Sequence, residues 1–336
     1  MTTPKPLAEC VPNFSEGRDM KVIASIVDAI GGIDGVSVLH VDAGHAANRT
    51  VVTFAGQPEA VAEAAFQGAK KAAELIDMRC HHGTHPRQGA TDVLPIIPIS
   101  GITLEQCATL ARQVAARLAS EEGIPCYAYE AAALKTEHVN LADCRAGEYE
   151  ALHQKLTDPV RRPDFMPRNL DRVEQTGISV VGARQFLIAV NFNLDTDSTA
   201  VAKAIAADIR QKGRPGRPFA MNCVKAIGWM IEEYGIAQVS VNLTDMNVTP
   251  LHQLYVNVSR CAIEHGARVT GTEIIGMVPK RALTLAGRFF LEHQQLPADA
   301  DEHELIAVAV SKMGLDDLRP FPPEQKVIEY ALGLNT

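Results

Sequence analysis

Apolar and polar positions alternate with two periods along this chain, and the switch between them outlines its elements. Residues 7–14 read as a short strand. Behind a turn, Asp19 is placed to cap a helix whose Val22, Ile23, Ile26 and Ile30 recur at helical spacing. Glycines 31, 32 and 35 end it. Strands are predicted over 36–44 and 49–56, an alanine-rich helix over 58–77 and an amphipathic helix over 104–123. The run 93–100 reads as an edge or terminal strand, because Pro95 and Pro98 lack the N–H that a central ladder needs. From 184 the succession repeats: strand 184–194, helix 197–213 with Asp197 or Ser198 as cap, strands 224–231 and 237–245, helix 249–266 and strand 267–276. A helical tail follows to about residue 313. The weakest stretch is 157–183, proline-bearing, charged and without a period, which reads as a linker between the halves or as a loop over a site.

Both halves therefore give the order β-α-β-β-α-β, and their openings CVPNF and IAVNFNL match. The fold expected is α+β. It has two βαββαβ (ferredoxin-like) α/β-sandwich subdomains arising from a duplication, residues 1–183 and 184–330. A chain of 336 residues exceeds what one hydrophobic core usually serves, which agrees with two bodies.

Composition narrows the partners. A net charge of −8 argues against a nucleic-acid binder, which needs a basic footprint. It leaves room for a local basic pocket and an anionic small molecule. Seven scattered cysteines without a CxxC pair argue against a zinc ribbon or a disulfide framework. The first residues lack a signal-peptide core and no apolar run reaches membrane-spanning length, so a soluble cytoplasmic protein is expected, with no membrane partner.

Chemistry concentrates in CHHGTHPRQGATDV, residues 80–93. Cys80, His82 and His85 could ligate a metal, but Gly83 and Pro86 interrupt the helix that would converge them. A histidine here could instead take and return a proton near neutral pH, with Asp42 or Asp92 as its acid partner. Spacing alone does not choose among the histidines, although His81 and His82 read as solvent-facing. Arg49, Arg79, Arg87 and Arg184 fall near strand ends or in this loop, where guanidinium groups hold carboxylates bidentately. Several together suit a dicarboxylate. Neither GxGxxG nor a Walker pattern is present.

Longer motifs carry a resemblance. ECVPNFSEG (9–17), VDAG with NRTVVTFAGQPE (41–59), LIDMR with HPRQGATDV and IP (75–98), CRAGEYEAL (144–152), GARQFLIAVNFNL (182–194), QVSVNLTD (238–245) and LHQLY (251–255) together resemble the glutamate formimidoyltransferase family, over essentially the whole chain. The resemblance implies transfer of a formimidoyl group between N-formimidoyl-L-glutamate and tetrahydrofolate. Tetrahydrofolate is the co-substrate, no metal is required, and the folate site lies between the two subdomains. It implies His85, before Pro86 and Arg87, as the catalytic proton shuttle and Asp42 as its charge partner. It implies substrate or folate contacts at Asn13, Arg49, Arg87, Gly89, Asp92 and Arg184, and in the loop before GAR at Met166, Pro167, Arg168, Asn169 and Gly177. Folate-dependent formyl transfer to glutamate and a non-catalytic folate-binding protein are the alternatives. A homodimer is expected from the general frequency of that state.

Overall fold

The computed structural model describes residues 6–45, 47–83, 85–211, 216, 218–231, 234–295 and 300–333. The helix expected to reach 213 ends at Ile209, and residues 212 and 213 lie outside the described residues. The chain forms two compact units, Met1–Gln185 and Phe186–Thr336.

The first unit runs β1 (Leu7–Cys10), β2 (Asn13–Phe14), α1 (Met20–Gly31), β3 (Val36–Gly44), β4 (Arg49–Gly56), α2 (Pro58–Leu75), β5 (Thr91–Ser100), α3 (Leu104–Glu122) and β6 (Cys126–Glu130). Short helices α4 (Leu141–Arg145), α5 (Leu152–Thr157) and α6 (Val173–Thr176) precede β7 (Ser179–Ala183). Local chemistry sets the helix ends. The Asp19 carboxylate accepts from the N–H groups of Lys21 and Val22 at the start of α1. A capping box joins Thr103 and Gln106 at the start of α3, and Gly123 ends that helix with φ +73°.

These strands make one sheet. β3 pairs with β4, β4 with β1 and β2, those with β5, and β5 with β7, which pairs in turn with β6. All neighbours are antiparallel except β5–β7 and β7–β6, which are parallel. Helices α1, α2 and α3 supply the main core on one face, meeting Leu94, Ile96, Ala128 and Val181. On the other face Val93, Tyr127, Tyr129 and Val180 pack against Cys144, Leu152, Leu156 and Val173.

Two expectations are corrected here. β5 is not an edge strand; it is paired on both sides. Its prolines fit because their missing donors meet gaps. Pro95 turns its backbone toward Val11, whose N–H it accepts at 3.4 Å, in the break between β1 and β2. Pro98 lies beyond Ile96, the last β5 residue paired with β7. Nor is 157–183 a linker. It belongs to the first unit and contributes β7, an interior strand buried at every position.

The second unit runs β8 (Ile188–Leu194), α7 (Thr199–Ile209), β9 (Val224–Ile231), β10 (Ile236–Leu243), α8 (Leu251–Glu264), β11 (Val269–Ile275), α9 (Lys280–His293) and α10 (Glu302–Met313). Short helices α11 (Pro323–Lys326) and α12 (Ile328–Ala331) complete it. Ser198, one of the two expected caps, accepts from Val201 N–H. The sheet order is β11–β8–β10–β9, fully antiparallel. Alternate residues Val190, Phe192, Val239 and Val241 face the core formed with α7 to α10. Across the other face, Trp229 Nε1 donates to Gln238 Oε1 at 3.2 Å, and Gln238 Nε2 donates to Asn193 Oδ1 at 2.7 Å.

Candidate active site

Asp92, at the start of β5, is the centre of the charged cluster. Its side chain is 0% exposed, yet it meets two guanidinium groups. Arg49, from the start of β4, is 11% exposed and is ion-paired with Asp92 Oδ2. Arg145, the last residue of α4, donates from Nη1 to the same oxygen at 3.0 Å. Arg49 also donates from Nε to Asn13 Oδ1 at 3.2 Å, and Asn13 donates to Val11 O at 3.0 Å. One carboxylate shared by two arginines leaves a surplus positive charge in a poorly hydrated place, where charge acts strongly.

His85 lies beside this cluster and is half-buried. Its Nδ1 is 2.6 Å from Pro86 O. A carbonyl oxygen only accepts, so Nδ1 carries the proton and Nε2 is the basic nitrogen. Burial lowers the His85 pKa, and Arg49 and Arg145 lower it further against the opposing pull of the Pro86 hydrogen bond and Asp92. The ring is therefore neutral at neutral pH with a free lone pair, the state a general base needs.

The loop around His85 is built to hold still. Arg87 donates to Met78 O at 2.8 Å and to His81 O, pairs with Glu150 at 3.0 Å, and lies 4.6 Å from the Tyr149 ring centroid. His81, expected to face solvent, is buried, because its Nε2 donates to Asn48 O at 2.8 Å. Asn48 in turn bridges Gly17 N and His82 O. Gly89 and Gly177 cross as an isolated bridge. A Cβ on Gly89 would stand 2.5 Å from Ile178 O, and one on Gly177 would stand 2.2 Å from Gln88 O. Beneath the loop, the buried Lys155 ammonium donates to Gln88 Oε1 at 2.7 Å, and burial pulls its pKa down to about 8.

Thus His85, Asp92, Arg49 and Asn13 are brought together, and Gly89 meets Gly177. Asp42 is exposed on β3, paired through its backbone with Val51, and has no side-chain hydrogen bond or ion pair among the described residues. Asp92 is the carboxylate whose charge opposes the lowering of the His85 pKa. Met166 and Pro167 are half-buried, while Arg168 and Asn169 are exposed. Arg184 follows β7, donating its N–H to Ile96 O at 3.3 Å and its Nη1 to Gln185 O at 3.0 Å. No hydrogen bond or ion pair among the described residues joins Arg184 or 166–169 to His85. Arg79 pairs with its neighbour Asp77 at the surface. Cys80 and His82 are exposed. Among the described residues, the group of three donors close enough to share a metal is Asp208, Cys261 and His265 in the second unit, where His265 Nε2 and Asp208 Oδ2 stand 2.9 Å apart. Sequence reasoning missed Arg145; its signal was there, in the CRAGEYEAL motif.

Fold and site together define an α+β protein whose first unit carries a neutral, basic histidine beside a paired-arginine cluster. The chain belongs to the formiminotransferase domain family: residues 7–184 match the N-terminal subdomain and residues 189–333 match the formiminotransferase domain that follows. It is 45% identical over 325 residues to the formimidoyltransferase-cyclodeaminase of Sus scrofa, covering 96% of this chain and 59% of that protein. It is 46% identical to that of Gallus gallus over the same span. It is 39% identical to the glutamate formimidoyltransferase of Streptococcus pyogenes, covering 89% of this chain and 97% of that protein. The chain spans about three fifths of the length of the bifunctional relatives it matches. No helix among the described residues is long and apolar enough to cross a membrane.

Proposed function

We propose that this chain transfers a formimidoyl group between N-formimidoyl-L-glutamate and tetrahydrofolate, giving 5-formimidoyltetrahydrofolate and L-glutamate. Membership of the family and the name of the Streptococcus relative support the reaction. The observation that carries the mechanism is the His85 imidazole, held as the Nδ1–H tautomer by Pro86 O and kept neutral by burial and two arginines.

The amine nitrogen of tetrahydrofolate attacks the amidine carbon of the donor, and a tetrahedral intermediate forms. His85 Nε2 takes the proton that the attacking nitrogen must lose. It returns that proton to the glutamate nitrogen, and the carbon–nitrogen bond to glutamate breaks. Proton transfer of this kind contributes ~10²–10⁴-fold, and alignment of the two substrates supplies much of the rest. The surplus charge of the Arg49–Asp92–Arg145 cluster suits a substrate carboxylate. Asn13 and Arg49 would hold it, with Asp92 holding Arg49 and Arg49 holding Asn13. Arg87, Gly89 and Gly177 serve by fixing the loop. Asp42 would act as the charge partner of His85 once substrates bind, Arg184 would contact substrate, and Met166, Pro167, Arg168 and Asn169 would contact the folate. The matching strand orders β5–β1–β4–β3 and β11–β8–β10–β9 support two diverged ferredoxin-like copies, residues 1–183 and 184–330. A cytoplasmic homodimer completes the proposal.

The test is a transfer assay with N-formimidoyl-L-glutamate and tetrahydrofolate, run beside one with 5-formyltetrahydrofolate and glutamate. His85→Ala is expected to retain folate binding and to lose ~10²-fold or more in kcat. Normal turnover by that variant would remove the mechanism, and activity only in the formyl arm would replace the reaction.

A further inference from the structure

Arg145 reaches the site from α4, 59 residues along the chain from Pro86. It makes two bonds there. Its Nη2 donates to Pro86 O at 2.9 Å, and its Nη1 meets Asp92 at 3.0 Å. The Pro86 carbonyl also accepts the His85 Nδ1 proton at 2.6 Å. One acceptor therefore takes a neutral imidazole and a guanidinium at once, and the guanidinium is fixed at its other end by a carboxylate with no exposure to water. Such an anchored fork restrains direction as well as distance.

We infer that Arg145 is a positioning residue, which holds the His85 imidazole through the Pro86 carbonyl in its Nδ1–H tautomer and leaves Nε2 free to accept a proton. The inference rests on His85 being the proton-transfer group. The charged groups acting on the ring come from three elements: Arg49 on β4, Asp92 on β5 and Arg145 on α4. Two are positive and one is negative, so the balance opposes the imidazolium. A plain latch between α4 and the loop would share the contacts of Arg145 but would leave the histidine's protonation untouched.

The experiment follows the His85 ring nitrogens by NMR in the full chain labelled with ¹⁵N-histidine, across pH, with His85→Ala assigning the signal. The variants are Arg145→Gln and Arg145→Lys. In Arg145→Gln, Asp92 keeps Arg49 as a partner. The wild type is expected to show Nδ1 protonated and Nε2 bare. Arg145→Gln should mix the tautomers and raise the His85 midpoint by about half a pH unit, with kcat falling about tenfold; KM should rise as well, because the cluster loses its surplus charge. Arg145→Lys keeps a cation without the planar fork, so it should restore the midpoint and not the tautomer ratio. A wild-type tautomer ratio and midpoint in Arg145→Gln would overturn the inference and leave a latch. If Arg145→Gln does not fold, the tautomer ratio of Arg145→Lys decides: a mixture supports the inference and a wild-type ratio overturns it. The NMR arms read the same whether or not the wild type transfers a formimidoyl group, so failure of the proposed reaction and failure of this inference are told apart.

Discussion

Four strands of the seven-stranded sheet, β5–β1–β4–β3, repeat the order of the four-stranded one, and the two sheets differ in what their second face does. In the first unit that face is covered. Val93, Tyr127, Tyr129 and Val180 lie under residues of α4, α5 and α6, and the segment that covers them also delivers Arg145 to Asp92. In the second unit the same face carries a ladder of amide side chains, Trp229 to Gln238 to Asn193, with Ile227 60% exposed beside it. Both faces bury polar groups, but to different ends. The ladder passes from the Trp229 indole through two neutral amides to the Asp317 carboxylate, which accepts from Asn193 Nδ2 at 3.3 Å, and such a satisfied chain stabilises and specifies the sheet. The first unit instead divides one carboxylate between two cations beside a half-buried histidine, an arrangement that costs stability and is of the kind that clusters at functional sites.

The sharpest way to break this contrast is Asp92→Asn. It strips the buried counter-charge from two arginines, and a loss of about 3 kcal/mol in unfolding free energy is expected from chemical denaturation. Transfer should fall with it. Gln238→Leu comes next. It leaves Trp229 Nε1 without its acceptor and Asn193 Oδ1 without its donor, and should cost about 1–2 kcal/mol. Its kcat should stay at the wild-type value; a loss comparable with that of Asp92→Asn would mean that the amide face takes part in the chemistry after all.

The smallest effect is a pH dependence. Burial lowers the pKa of His81, His85 and His252 from the ordinary value near 6.5. A folded-state pKa below the unfolded one means that the unfolded chain binds more protons between the two. The contribution of these rings is thus fully present above about 6.5 and is lost as pH falls through their lowered folded values. Thermal melts should weaken on acidification below about 6.5, and His81→Asn should flatten that slope. For catalysis, the acidic limb of kcat/KM should lie below 6.5, because protonated His85 cannot act as a base.

The same contrast explains what could be read from the sequence. In the second unit each strand has one face in the core, so β10 alternates and declares itself. Its elements matched expectation to within a few residues. In the first unit β5 and β7 are buried on both faces, and two-sided burial erases alternation. SVVGA thus passed for the end of a linker, and the prolines of β5 suggested an edge. The sequence also pointed to the loop that holds His85, but not to the bonds within it. Nothing in the spacing says that His81 turns inward to Asn48 O, or that a residue of α4 is bonded to Pro86. Arg145 was visible only as a letter in a motif. Its role depends on a fold that brings positions 59 apart onto one carbonyl.

The position of β7 has a consequence for how the chain is made. β5 and β6 do not pair with each other; each is paired with β7, the last strand of the first unit to leave the ribosome. Until residue 183 has emerged, β5 and β6 each present an unpaired side, the surface that invites misassociation in nascent chains. The helix α3 between them forms from local contacts and can hold them at the right separation meanwhile, but parallel pairing across such distances is slow. Completion of the sheet thus coincides with the arrival of the strand that precedes the second unit. A stall in translation before that point would leave the sheet open and could leave the His85 loop without the Gly177 crossing that braces it, and a stall just after it would leave the first unit able to close by itself.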